Sequence, residues 1–568
     1  MKKIGSSWYG MLCAMAVPLF TLLLTGCLEN VEAPPETVIS DDFVDLRPQQ
    51  TALRNQGGRG TCIVFAGVAA LEASYRRYGY GEPDLSEEFI NFTRKSAYLH
   101  PIWDDHMADG VHRIETQLGS TGGGGGVGVV VELSKGYKIP LEEVMGYHDS
   151  EDYYKDNFPA LTIALDKGAG ATQKEYSDFN LDPEILTHDI LHNEDWYGVA
   201  AYRNLDDATD TDEIETILKS GKEVVWDFSG SAPWDEGGVD DRGVWQECGN
   251  CNVIAHSMLI VGFDKRDSDP SRHYFMVKNS WGEDESALDL DGYTAISYDY
   301  VRRYGLAAAY IQRPAAISEW PEIAFFGRWK LNYDGLRGTL DIYHLPGMAD
   351  YVFEYNYTTG AIPIQYNDYR IGTFYDSQGN PYRVNGSVLG NKITFYIDNN
   401  KPLLRWDEVS GRKFEFYLRR NDFMAGQFTD TDGNTYGGYA SKGQYSSSGG
   451  DTPRPFGLAA YYESEWYFST EGAYGELYFD EVVSDQSADH VIIEGRFTSS
   501  WENLVSRAQI KFYNNKPHKV YLQIAKLSSE VGVVNLTGHH HTWDSGLITG
   551  KADQAPSVTY PFKMTRIN

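Results

Sequence analysis

Asn55-Gln56-Gly57-Gly58-Arg59-Gly60-Thr61-Cys62 is a glycine-rich loop that ends on a single cysteine, and its reading decides the rest. From Ile63 to about Tyr78 the spacing becomes helical: Val64, Val68, Leu71 and Tyr75 share one face, and Arg76 and Arg77 stand in the last turn. A thiol at the first residue of a helix feels the positive end of the helix dipole, which favours the thiolate that attacks carbonyls. A free cysteine also packs well as a small apolar core residue. The remainder of the chain has to decide between a nucleophile and a core residue.

At the N-terminus, Lys2 and Lys3 precede an apolar run from Met11 to Leu24, short for a membrane-spanning helix. Its end, Leu23-Leu24-Thr25-Gly26-Cys27, resembles a bacterial lipoprotein signal box. That resemblance implies a signal peptide over 1–26, a lipid on Cys27, and an exported protein held on the bacterial cell envelope. The expected location is the outer membrane, facing the periplasm or the cell surface. Residues 27–43, with Glu29, Glu32, Pro34, Pro35 and Glu36, read as an acidic, proline-containing tether. Cys13 leaves with the signal and Cys27 takes the lipid, so Cys62, Cys248 and Cys251 remain of the five cysteines. An odd count in an oxidising compartment leaves one thiol unpaired. Cys248-Gly-Asn-Cys251 can close on itself, as a small-loop disulfide or a redox switch, which makes Cys62 the odd one out.

With 568 residues the chain is too long for one core. A content of 42% hydrophobic and 14% aromatic residues supports packed cores, and a formal charge of -32 repels phosphate and excludes nucleic acid as a partner. Globular sequence starts near Val44-Asp45-Leu46-Arg47. Ser86 is placed to cap a helix beginning Glu87-Glu88-Phe89-Ile90. Gly122 to Gly126 form a loop that a ligand backbone could approach closely. A helix over 214–218 leads to apolar strands at Glu223–Phe228, Ser257–Phe263 and Tyr274–Asn279. A helical first half and a strand-rich second half make 44–314 an α+β domain.

From about residue 323 the pattern changes to short strands rich in tyrosine and phenylalanine, interrupted by a Ser/Gly-rich linker at 446–456. The flanking pieces, 323–445 and 457–568, resemble each other. Trp329, Gly335, Gly338 and Leu340 match Trp466, Gly472, Gly475 and Leu477 at an offset of 137. Asn399–Pro402 recurs at Asn514–Pro517 at an offset of 115, and Gly426, Asp432 and Gly438 recur as Gly538, Asp544 and Gly550 at 112. The expectation is a duplicated all-β module, antiparallel barrel or sandwich, with shorter loops in the second copy. A glycan or protein ligand is expected for these modules.

A cysteine nucleophile needs a base, a group that orients the base, and donors for the oxyanion. His256 heads one strand, Asn279 ends the next in Asn279-Ser280-Trp281-Gly282, and Gln56 lies six residues before Cys62. Together these segments resemble the papain/cathepsin-type cysteine peptidases, over roughly 41–314. The similarity rests on Gln56 to Ala66, His256-Ser-Met-Leu-Ile-Val-Gly262, and Val277-Lys278-Asn279-Ser280-Trp281-Gly282. It extends to Leu85-Ser86-Glu87-Glu88, Tyr147 and Asp291-Gly292-Tyr293.

The resemblance implies Cys62 as nucleophile, His256 as general base then acid, Asn279 as its orienter and Gln56 as oxyanion donor. Trp281 would shield the Asn279–His256 bond, and Gly123 and Gly124 would pair with the backbone of a protein or peptide substrate. It implies no cofactor and no metal. The chain also departs from the family pattern. Thr61 and Ile63 flank the cysteine in place of Ser and Trp, Ala255 precedes the histidine, and Arg59 and about Thr93 occupy the positions of the family's usual disulfide. These departures keep open a second reading, a silent papain-like scaffold that acts as a surface binding protein through its β modules.

Overall fold

The helix that begins on the predicted nucleophile is the axis of the N-terminal domain. The structure, a computed structural model, describes residues 37–98, 125–160, 163, 172–182, 185–283, 288, 290–333, 336–343, 370–397, 412–419, 421–442, 465–470, 473–483, 490–500, 502–513, 516–540, 547–554 and 558–567. Helix α1 (Cys62–Arg77) is buried on all sides from Cys62 to Tyr75. Four alanines, at 66, 69, 70 and 73, favour the helix and keep it thin enough to pack on every face. Its closest neighbour is a helix over Gly125–Ser134, numbered α3 here because α2 (Glu87–Tyr98) precedes it. A Cβ on Gly67 would lie 2.6 Å from the Val129 side chain, and one on Gly126 would lie 2.8 Å from Val225. The last two members of the predicted glycine loop therefore belong to a helix, and Gly126 is there for close packing. Gly123 and Gly124 lie outside the described residues.

Further helices among the described residues are α4 (Glu151–Asn157), α5 (Gln173–Leu181), α6 (His188–Leu191), α7 (Thr211–Lys219) and α8 (Tyr298–Tyr304). Ser86 caps α2 as expected, its Oγ accepting from Phe89 N at 3.0 Å. Eight strands form the domain's sheet: β1 (Val38–Ile39), β2 (Phe43–Asp45), β3 (Val199–Asn204), β4 (Val224–Ser231), β5 (Val253–Asp264), β6 (Tyr274–Lys278), β7 (Thr294–Ser297) and β8 (Gly305–Pro314). Their order is β1-β2-β5-β4-β8-β3, with β6 on β5 and β7 on β6. The sheet begins inside the span read as tether, because β1 adds to β2 with Val38 opposite Asp45. The long β5 is the organising strand, and its pairing with β4 sets Phe228 opposite His256 and Asp227 opposite Ser257.

Beyond the N-terminal domain lie two closed antiparallel barrels. The first comprises β9 (Gly327–Tyr333), β10 (Leu336–Ile342), β11 (Arg370–Asp376), β12 (Pro381–Leu389), β13 (Lys392–Ile397), β14 (Arg412–Arg419), β15 (Phe423–Thr429) and β16 (Thr435–Ser441). The second comprises β17 (Glu465–Thr470), β18 (Ala473–Val482), β19 (His490–Ser499), β20 (Val505–Tyr513), β21 (Lys516–Ile524), β22 (Val534–His540), β23 (Leu547–Gln554) and β24 (Val558–Arg566). Each strand pairs with the next and the last closes on the first. Side chains fill the first barrel: Phe395 stacks on Phe414 at 4.5 Å, and Phe414 meets Phe428 and Tyr333 at 5.0 Å. An eight-stranded barrel is just wide enough for such a packed interior.

The first repeat motif is structurally equivalent in the two barrels. Trp329 faces Leu340 across β9 and β10, and Trp466 faces Leu477 across β17 and β18, all four fully buried. The later motifs are not equivalent. Gly426 and Gly438 pair across the seventh and eighth strands of the first barrel, whereas Gly538 and Gly550 pair across the sixth and seventh of the second. Loop shortening therefore does not explain the falling offsets. Each pair makes room for an aromatic ring, Phe416 over Gly438 and Phe562 over Gly538, and that need recurs at different strands.

The first barrel is joined to the N-terminal domain through a continuous hydrophobic core. Trp320, between the two, is buried against Trp196 and Phe89. Arg328 on β9 binds the buried Asp341 and also Asp178 of α5, at 2.6 to 2.9 Å. Burial raises the Asp341 carboxyl above its ordinary range while Arg328 pulls it back. The two barrels meet through a small cluster of Ala425, Tyr439 and Leu547 and a bond from Thr549 Oγ1 to Gly438 O at 3.2 Å.

Candidate active site

Cys62 occupies the first helical position of α1, and its thiol is buried. The backbone N–H groups of Ser257, Ile63 and Cys62 itself act to lower its pKa. Burial outweighs them, and the nearby Asp227 carboxylate acts in the same direction as burial, so the thiol is pushed up to about 11.

His256 is also buried, and desolvation pushes its imidazole down to about 4 against the opposing effect of Asn279. Its Nε2 lies 2.8 Å from Asn279 Oδ1. Ser280 N donates to that same Oδ1 at 2.8 Å, which identifies the atom as the amide oxygen. An amide oxygen only accepts, so Nε2 carries the proton and Nδ1 is left as the basic atom. Trp281 stacks on the imidazole at 4.6 Å and Phe228 meets it edge-on at 5.8 Å. Trp281 itself is 37% exposed, so it covers the His256–Asn279 pair from the solvent side.

Gln56 is buried, with its side chain fixed at both ends. Ser280 Oγ donates to Oε1 at 2.5 Å, and Nε2 donates to Arg59 O at 2.6 Å. An amide nitrogen carries two hydrogens, and the second is the one an oxyanion role requires. Gln56 N donates to Ser280 O at 2.8 Å and Gly282 N to Arg54 O at 3.1 Å. These backbone bonds lace the loop before the nucleophile to the segment after Asn279. Cys62, Gln56, His256, Asn279 and Trp281, far apart in sequence, thus meet at one place.

The shape of the Gln56–Cys62 loop comes from Arg59. Its guanidinium is 1% exposed and pairs with Glu88 of α2, which is 3% exposed. It also donates to His148 O at 2.8 Å and lies 4.6 Å from the Tyr147 ring centroid and 4.2 Å from that of Tyr154. Tyr147 OH donates to Gln56 O at 2.8 Å and meets Thr61 Oγ1 at 2.7 Å. Gly57 has φ of +63°, and a Cβ there would lie 2.5 Å from Asp149 O, so only glycine fits. Both positions read as replacing a disulfide are accounted for: Arg59 makes the ion pair to α2, and Thr93 lies further along that helix.

Cys248 and Cys251 form a disulfide in the β4–β5 connection. Cys27 lies outside the described residues. Among the described residues no three metal-ligating side chains cluster, and no helix is long and apolar enough to cross a membrane. Sequence reasoning missed Asp227, a carboxylate inside an otherwise apolar strand. It also missed Ser280, whose backbone and hydroxyl orient Asn279 and Gln56.

Residues 193–312 match the sequence model described as papain family cysteine protease, a span that holds His256, Asn279 and Trp281 but not Cys62 or Gln56. Similar solved structures include a clostridial cysteine protease, Cwp84, after propeptide cleavage. It is 18% identical, with 50% of this chain and 58% of that chain covered and a TM-score of 0.31. Digestive procathepsin L 3 of the Tenebrio molitor larval midgut is 16% identical over 49% of this chain and 72% of that one, with a TM-score of 0.28. The bromelain protease from Ananas comosus is 16% identical over 48% of this chain and 100% of that one, with a TM-score of 0.29. The chain thus spans 58% of the length of the first of these structures. No curated protein matches the sequence.

The Arg59–Glu88 pair yields a direct test. Arg59→Ala leaves Glu88 buried without its partner and should cost about 3–5 kcal/mol, read as a lower unfolding midpoint. Joint replacement by Met at 59 and Leu at 88 should recover most of that loss. A single variant within about 0.5 kcal/mol of the parent would contradict the role given to the pair.

Proposed function

We propose, from the match of residues 193–312 to the model described as papain family cysteine protease, that the protein is a cysteine endopeptidase, exported and lipid-anchored through Cys27. The observation that carries the reading is the 2.8 Å bond from His256 Nε2 to Asn279 Oδ1, which leaves Nδ1 basic beside the segment that holds the Cys62 thiol. The substrate is a protein or peptide, and the chemistry is amide hydrolysis in two steps.

In the first step the Cys62 thiol passes its proton to His256 Nδ1 as sulfur attacks the scissile carbonyl carbon. The oxygen of the tetrahedral species takes the Gln56 Nε2–H and the Cys62 backbone N–H. Collapse breaks the C–N bond, His256 returns the proton to the leaving amine, and a thioester to Cys62 remains. In the second step His256 Nδ1 takes a proton from water, hydroxide attacks the thioester, and the acid product leaves as Cys62 recovers its proton. Asn279 holds the imidazole in the required tautomer throughout.

The burial of both groups sets the pH dependence. His256 must be neutral to accept the proton, and with its pKa pushed down to about 4 it is neutral from there upward. The thiol, pushed up to about 11, keeps its proton over the same range. The profile of kcat/KM should therefore be a bell with its acid limb near pH 4 and no loss through neutral pH. An acid limb near pH 6.5, the value of an unburied imidazole, would contradict this.

Cys62→Ala should abolish hydrolysis of casein and peptidyl fluorophores, and Gln56→Ala should lower kcat by on the order of 10²–10³. Hydrolysis that persists in Cys62→Ala would remove the assignment. For the anchor, resting on Leu23–Cys27, Cys27→Ser should move the protein from the membrane fraction to the soluble one and abolish labelling by a fatty acid. Fatty-acid label retained by Cys27→Ser would place the lipid elsewhere.

A further inference from the structure

The two barrels enclose a polar cavity that the reaction steps above leave unused. Along β14, Phe414 and Phe416 fill the first barrel, while Glu415 and Tyr417 between them face outward. Along β22, Val534 and Leu536 belong to the core of the second barrel, and Thr537 and His539 lie outside it. His539 is nevertheless buried, because the first barrel covers that face. Bonds across the seam hold the two walls together: Asn391 Nδ2 donates to Thr559 O at 2.6 Å, and Arg419 Nη1 to Ser469 Oγ at 2.9 Å. Between the walls is a cavity of about 200 Å³. Lys392, Glu415 and Gln427 line it from the first barrel, and Thr537, His539 and Lys551 from the second.

The polar groups of the first wall form one row. Lys392 Nζ donates to Glu415 Oε1 at 3.2 Å, and Gln427 Nε2 donates to Oε2 at 2.6 Å. Burial raises the Glu415 carboxyl, but those bonds and the nearby lysines outweigh it and hold the group ionised, below its ordinary range. On the other wall Thr537 and Lys551 are cross-strand partners, and Lys551 pairs with Asp553 at 3.3 Å. The side chains of Lys392 and Lys551 stay 35% and 41% exposed, so the cavity opens to solvent beside them.

Each class of occupant meets a different response. An apolar group would strip water from a carboxylate and two ammonium groups, which is costly. A free anion meets Glu415, and a free cation meets Lys392 and Lys551, each of which already has a carboxylate partner. A neutral molecule with several hydroxyls suits both walls, because every hydroxyl can donate to a carboxylate or amide oxygen and accept from an ammonium or amide N–H. Tyr417, also at the cavity, adds a ring for the C–H face of such a molecule. We infer that the seam between the barrels is a carbohydrate site that takes one neutral sugar residue, held by Glu415 and Gln427 on one side and by Thr537 and Lys551 on the other. The size agrees. The cavity far exceeds the ~10–15 Å³ that one water needs, and it falls short of the ~300–1,000 Å³ of sites for drug-sized ligands. Both walls are required, so the site exists only where the barrels are paired, and it is independent of the peptidase reading.

The test is titration of the full chain, as Cys62→Ala so that no peptidase turnover intervenes, with glucose, galactose, mannose and N-acetylglucosamine, followed by ligand-observed NMR. At least one of these sugars should bind with a Kd on the order of 1 mM, as expected for a ligand of about a dozen non-hydrogen atoms. Thr537→Met fills the cavity from the second barrel, and Glu415→Gln removes the charge from the first. Each should weaken binding by about tenfold or more, the effect of losing a hydrogen bond to a charged group. Glucuronic acid and glucosamine, similar in shape but charged, should bind more weakly than the best neutral sugar. Absence of binding by all four neutral sugars, tighter binding of either charged one, or binding unaffected by Thr537→Met would each overturn the proposal. If Glu415→Gln does not fold, Thr537→Met alone decides. The titration involves no hydrolysis, so its failure leaves the peptidase reading standing, and loss of that reading leaves the sugar site standing.

Discussion

The buried ion pair between Arg59 and Glu88 is the constraint on which the site depends. The loop that delivers Gln56 and Cys62 contains three glycines among residues 57–60, so its own backbone holds no fixed shape. Its form comes from one side chain that reaches across to α2 and lies against the rings of Tyr147 and Tyr154. Net stabilisation from such a pair is small, because two charges must leave water to form it. Its value is geometric: a guanidinium with several donors in one plane fixes a loop in one arrangement. Where the family resemblance places a covalent link, this chain has an ionic and aromatic one, which does not respond to reductant.

The second constraint is dryness. Cys62 and His256 are both withdrawn from water, and burial moves each toward its uncharged form. In the proposed mechanism charge is therefore separated by transfer between the two rather than by exchange with solvent. Trp281 and Phe228 maintain that environment around the imidazole, and Asn279 prevents it from turning. Two β-barrels follow the N-terminal domain. The first is packed on the N-terminal domain through Trp320, Arg328 and α5, and its interior is filled by aromatic rings.

Much of the N-terminal domain was legible because its signals are local. The helix after Cys62, the Ser86 cap and the apolar strands read at 223–228, 257–263 and 274–279 each follow from spacing or from a single capping residue, although the first two strands run longer, over Val224–Ser231 and Val253–Asp264. The meeting of Gln56, Cys62, His256 and Asn279 was legible only through resemblance, since no local pattern brings together residues 217 apart. Asp227 was missed because strand periodicity counts apolar positions and passes over one carboxylate among them. The ionic role of Arg59 was hidden because its partner lies on another helix. In the barrels the tryptophan and first-hairpin glycine pattern marks equivalent strands. The later glycines mark places where a ring needs room, and that requirement does not keep register between copies.

The measurement that bears most directly on the account is mass-spectrometric mapping of the full chain after treatment with an epoxysuccinyl peptide inhibitor at neutral pH. The account predicts a single adduct, on Cys62, formed in the folded protein and lost when His256 is replaced by alanine. Labelling that falls elsewhere, or that proceeds equally well without His256, would contradict the claim that Cys62 and His256 act as one catalytic pair.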